Sequence, residues 1–226
     1  MDWTLIPIVS YIFFGLFLVA SVVHLVFCWL EMELARKITK CMTTGTLAIA
    51  MIFAIPANPL PYIGLLFGLA GDAFLLKKHK VWPFVCGLLS FLFGHLCYIA
   101  AFMVLCGPLH WAYYVATALY VILFPIIFYH VGTKIVHQKP LAFGGVAYFG
   151  ILSLDFVWAI IACANGYLNY ALLCAFGAIS FIVSDVFLTK TMFKRDVKRR
   201  DFFIMSTYLL AQGLICVGFV LTFLTR

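Results

Sequence analysis

Residues 59–80 read PLPYIGLLFGLAGDAFLLKKHK. A run of apolar and small residues follows the opening prolines, one aspartate interrupts it at position 72, and Lys77, Lys78 and Lys80 close it. At about 1.5 Å per residue, the stretch from Pro59 to Lys77 forms a helix roughly as long as a bilayer's hydrocarbon core is thick. The aspartate is therefore a carboxyl group placed inside a membrane helix, near the end where the lysines stand.

The same pattern extends over the whole chain. Of its 226 residues, 66% are hydrophobic and 10% charged, and the mean hydropathy is +1.14, well outside the usual mix of a water-soluble domain. Apolar runs predict helices over residues 5–30, 39–56, 59–77, 84–106, 109–130, 141–163, 168–190 and 202–224. The fold class is all-α: a polytopic membrane bundle of eight transmembrane helices, forming one integral membrane domain over residues 1–226. The first run has no basic leader and no convincing small-residue cleavage site, so it is expected to be a mature helix.

The net charge of +7 could point to a nucleic-acid partner, but the placement of the charges points to a membrane. Fourteen of the fifteen basic residues fall in four clusters, after the first, third, fifth and seventh helices; Arg226 is the exception. By the positive-inside rule these loops face the cytoplasm, and both termini face the lumen or exterior. No pair among the eight cysteines has CxxC spacing, and small apolar filler is their expected role.

The stretch GDAFLLK at 71–77 returns as SDVFLTK at 184–190, with Asp185 in the place of Asp72 and Gly177 in that of Gly64. The offset is half the chain. Four helices per half keep the two copies in one orientation, which is the layout of a parallel four-plus-four repeat. Seven residues with four identities are also few enough for coincidence. Each aspartate lies five residues before a helix-closing lysine, so both belong to one layer, about 7–8 Å inside. His95 joins that layer if the fourth helix begins after Pro83, and lies nearer the bilayer centre if it begins at Val81.

Ionisable groups inside a membrane helix are costly, and two at matched depth are functional candidates. FGHLCY at 93–98 places His95 and Tyr98 within about one turn, and MSTYLLAQ at 205–212 places Tyr208 and Gln212 four residues apart on one helix face. Interhelical hydrogen bonding is the competing role for the last two. Lys40, at the mouth of the second helix, fits either a snorkelling anchor or a phosphate-binding cation. His24 reads as a packing residue, and Asp155 has no repeat partner and no assigned role. A metal site would have to use Asp72, Asp185 and His95, which lack the spacing of a recognised zinc motif, so no metal is expected. No redox-cofactor motif is present.

Taken together, GDAFLL, GHLCY, GGVAYFGI around Tyr148, SFIVSDVFL with Ser184, and MSTYLLAQ resemble the YhhN-like family of eight-helix membrane proteins over nearly the whole chain. The family's lysine at the start of helix two is matched by Lys40, but a nearby proline is replaced by Thr43. The resemblance implies hydrolysis of the vinyl ether bond of lysoplasmalogens, lysophospholipids carrying an alkenyl chain, in the endoplasmic reticulum. It implies Asp72 and Asp185 as catalytic, with Lys40, His95, Tyr98, Tyr148, Ser184, Tyr208 and Gln212 toward the substrate. Vinyl ethers hydrolyse through slow protonation of the β-carbon and capture of the resulting cation by water. Paired carboxyl groups suit that chemistry, as they do glycoside hydrolysis. Such a pair titrates as a unit, so acid and base are not told apart at this stage. A small transporter or proton-coupled carrier is the rival reading, since paired intramembrane carboxyls also bind and release protons.

Overall fold

The computed structural model describes residues 7–76, 81–108, 111–135, 139–192 and 198–225. Lys77, Lys78, Lys80, Lys194, Arg195 and Arg226, all counted in the charge reading, lie outside the described residues. Among the described residues eight α-helices follow one another: α1 Ile8–Trp29, α2 Glu33–Ala54, α3 Pro59–Leu75, α4 Val81–Cys106, α5 Trp111–Ile135, α6 Lys139–Ala162, α7 Leu168–Met192 and α8 Arg200–Leu224. There is no strand among the described residues. Six of the eight contain spans long and apolar enough to cross a membrane. Of the others, α2 carries Glu33, Arg36, Lys37 and Lys40 in its first two turns, and α3 has only 17 residues.

The ends of the helices differ from the hydropathy reading for local reasons. Helix α2 starts six residues earlier than expected, because the charged residues that end an apolar run are good helix formers and extend the helix into water. Helix α4 starts at Val81, with Pro83 inside its first turn, where a missing backbone N–H breaks no helical bond. Between α6 and α7 the chain turns at Gly166, whose φ of 100° favours glycine, while Asn165 bonds back to the Ile161 carbonyl at 2.8 Å.

Neighbouring helices close a ring in the order α1, α2, α3, α4, α6, α7, α8, with α8 returning to α1 and α5 packed outside against α6. The two halves use equivalent contacts. Helix α4 of the first half lies on α6 of the second, and α8 of the second lies on α2 of the first. A side chain at Gly64 would stand 2.4 Å from the Tyr98 ring; one at Gly177 would stand 2.9 Å from the Ala211 carbonyl. Gly71 faces Phe91 across α3 and α4, and Ser184 donates to the Ile204 carbonyl across α7 and α8 at 3.0 Å. Both pairs are related by the 113-residue offset, so the repeat extends from sequence into packing register.

Candidate active site

Asp72 and Asp185, 1% and 4% exposed, stand near the ends of α3 and α7 on the side of the bundle where the basic residues gather. Side chains on a helix lean toward its N-terminus. Asp72 on α3 therefore leans inward, while Tyr208 on the antiparallel α8 leans out toward the basic end. The two meet, and Tyr208 donates its hydroxyl to Asp72 Oδ2 at 2.8 Å. Thr44 donates to the same oxygen at 2.6 Å. The Lys40 ammonium, one turn before Thr44, stands 3.2 Å from Oδ1. A partly buried ammonium and two hydroxyl donors around one carboxyl group are a setting that suits a hydrogen-bond acceptor, as a carboxylate is.

The Asp72 network runs deeper into the bundle. Gln212 donates its amide to the Tyr208 hydroxyl at 3.3 Å, and Tyr98 reaches the Gln212 carbonyl oxygen at 3.5 Å. Gly68 leaves room for this line, since a Cβ there would stand 3.3 Å from the Gln212 amide nitrogen. Four residues named in the sequence, Lys40, Tyr98, Tyr208 and Gln212, thus converge on Asp72.

Asp185 has a sparser setting. Tyr148 on α6 donates its hydroxyl to Asp185 Oδ2 in a short hydrogen bond. Asp185 lies within electrostatic reach of Asp72, Lys40 and His95. The rings of Phe91, Phe181 and Tyr208 pack edge to face, 5.5 to 5.9 Å between centroids. They form an apolar wall joining the two aspartate clusters. Ser184 spends its hydroxyl on the α7–α8 tie.

Since α4 begins at Val81, His95 lies one helical turn past Phe91, the residue facing Gly71, and so deeper than the aspartate layer. Its Nδ1 pairs with Asp155 Oδ2 at 2.8 Å, and its ring stands edge-on to Phe181 at 4.5 Å. The aspartate that lacked a role in the sequence thus has a partner, 2% exposed and joined across α4 and α6. His24 bonds Thr39 at 2.7 Å, as suits a satisfied packing residue. Among the described residues no three His, Cys, Asp or Glu side chains converge in a way that could hold a metal ion.

A cavity of about 80 Å3 opens at the basic end, between the first turns of α2 and α8 and the ends of α3 and α7. Arg36, Lys37, Lys40 and Arg200 line it with Glu33 and Asp201, above an apolar floor that includes Leu75, Phe84, Leu188 and Met205. Arg36 and Asp201 form an ion pair joining α2 to α8. Sequence reasoning missed Thr44, Arg36 and Arg200. Thr44 was discoverable, being four residues from Lys40 on one helix face. The two arginines were absorbed into the topological charge count, which carries no information about which of them face a cavity.

Two comparisons with known proteins bear on this arrangement. Residues 36–219 match the profile of the YhhN family. Lysoplasmalogenase TMEM86A of Homo sapiens is 27% identical over 179 residues, covering 76% of this chain and 70% of the human one. No solved structure matches. The matched region begins at Arg36 and ends at Phe219, so it takes in both aspartates, their donors and the cavity lining from Arg36 onward, and the chain belongs to the YhhN family.

Proposed function

We propose that this protein is a lysoplasmalogenase, hydrolysing the vinyl ether bond of lysoplasmalogens to a fatty aldehyde and a glycerophospho-head group. The name of the human relative, the family match and the two buried aspartates support this reading. The observation that carries it is the contrast between the two carboxyl groups. Asp72 faces Lys40, Thr44 and Tyr208; Asp185 has one phenolic donor, Tyr148. Hydrolysis needs one carboxylic acid and one carboxylate in the same place.

Asp185 gives its proton to the β-carbon of the vinyl ether, and the double-bond electrons move to leave an oxocarbenium ion. The Asp72 carboxylate stabilises that cation. Water adds to the cationic carbon and its proton passes to a carboxylate, forming a hemiacetal. The carboxyl group that took this proton gives it to the glycerol oxygen as the C–O bond breaks, the hemiacetal hydroxyl loses its own proton to Asp185, and the aldehyde and the glycerol hydroxyl leave with both aspartates in their starting states. Tyr208 and Gln212 hold Asp72 in place, and the aromatic wall of Phe91 and Phe181 keeps bulk water from the cation.

The test uses purified protein with an alkenyl lysophospholipid and its saturated alkyl ether analogue. Aldehyde should appear from the first substrate only, because the saturated ether has no double bond to protonate. Absence of aldehyde from the vinyl ether overturns the reading.

A further inference from the structure

We infer that the cavity at the basic end is a phosphate subsite, in which Arg36, Lys40 and Arg200 hold the phosphodiester of a glycerophospholipid head group. The inference rests on the substrate class proposed above and adds the group that seats it.

Among the described residues four cations and two carboxylates line the cavity, with the His24 imidazole beside them. The carboxylates are already engaged: Glu33 with Lys37 at 2.6 Å, four residues along α2, and Asp201 with Arg36. Arg200 is oriented by a neutral partner, its Nε donating to Thr191 Oγ1 at 2.7 Å, and the acid within its electrostatic reach, Asp201, is the one paired with Arg36. The Arg36 Nε–H is buried without an acceptor. A further group with lone pairs is what that N–H lacks, and two carboxylates are shared among more cations than they can neutralise. Guanidinium forks match phosphate oxygens in shape as well as charge. The cavity has room for a polar group beside these donors, and Glu33 and Lys37, the more exposed pair of its lining, stand at its rim.

Lys40 connects this cavity to the chemistry. It lines the cavity, and its ammonium faces Asp72 at 3.2 Å. A phosphate seated beside it places the ether bond, one glycerol unit away, at the level of the two aspartates. The apolar floor of Leu75, Phe84, Leu188 and Met205 lies between the charged rim and the aspartates, on the path of the glycerol unit. The cavity thus has the polarity of the substrate, charged at the rim and apolar beneath.

Calorimetry on the detergent-solubilised protein separates this subsite from the reaction. Glycerophosphoethanolamine should bind the wild type and glycerol should not. Arg200→Gln should weaken that binding by about tenfold or more, the scale of one charge-assisted hydrogen bond. In turnover the same variant should raise KM for the alkenyl lysophospholipid by a similar factor with kcat held, since Arg200 touches no reacting atom. Leu76→Glu, which sets a carboxylate in the lining without disturbing Arg200, should also abolish binding. Unchanged binding in both variants overturns the subsite, whatever the turnover. Inorganic phosphate binding as tightly as the phosphodiester overturns the head-group assignment in favour of a free-phosphate site. Wild-type binding without aldehyde release supports the subsite and overturns the reaction.

Discussion

Asp72 and Asp185 have nearly the same neighbours in sequence and different neighbours in space. Among the described residues one faces an ammonium and two hydroxyl donors, while the other takes its hydrogen bond from one phenol. If the division of labour follows those donors, each carboxyl is needed for a different step and neither replaces the other. Asp72→Asn and Asp185→Asn should each lower aldehyde release by about a hundredfold or more, the usual scale of lost acid–base catalysis, while the protein remains monodisperse. Wild-type turnover in either variant removes that residue from the reaction. The His95–Asp155 pair belongs to stability first. Asp155→Leu leaves a buried imidazole nitrogen without its partner and should cost about 1–3 kcal/mol, read as a lower thermal midpoint in detergent. An unchanged midpoint would show that the pair does not hold α4 to α6.

At the level of helices, close approach depends on glycine. Gly64 on α3 lets the Tyr98 ring of α4 lie where a Cβ would be 2.4 Å away, and Gly177 on α7 admits Ile215 of α8, where the same atom would be 2.7 Å away. Small residues at such contacts let membrane helices pack backbone to backbone. Gly64→Val should cost about 1–3 kcal/mol from overpacking and should also lower turnover, because displacing Tyr98 disturbs Gln212 and, through it, Tyr208 and Asp72. Gly45→Val, where a Cβ meets nothing within 4 Å, serves as the control and should leave both midpoint and turnover close to wild type. Equal losses in the two variants would argue against the packing account.

For the whole molecule, the question is what the crossed repeat accomplishes. Each half supplies one aspartate, and the fourth helix of each half packs on the second helix of the other, so the two carboxyl groups come within electrostatic reach of one another only in the assembled ring. A hydrolase needs that meeting and no gradient, whereas a carrier needs vectorial access. Turnover should therefore persist in detergent; net flux in proteoliposomes without aldehyde release would favour a carrier. The clustered basic residues place the cavity at the cytoplasmic face in our reading. In sealed microsomes with the cytoplasmic face outward, substrate added outside should be hydrolysed without permeabilisation. An impermeant thiol reagent should label Lys134→Cys but not Ala57→Cys. The reverse pattern, with activity appearing only after detergent, overturns that orientation.

The number of helices, their order and the matched depth of the two aspartates are all determined by the sequence alone, because a bilayer imposes one length on every crossing and one penalty on every buried charge. Such one-dimensional constraints are legible in a linear pattern. Partnership is not. That His95 joins Asp155 instead of the aspartate layer depends on where α4 begins and on its contact with α6. That Arg36 and Arg200 share a cavity depends on α2 and α8 lying side by side across more than 160 residues of chain. Those contacts arise from ring closure, which local composition does not encode, so only the tertiary structure decided which polar side chains meet and what chemistry they can do together.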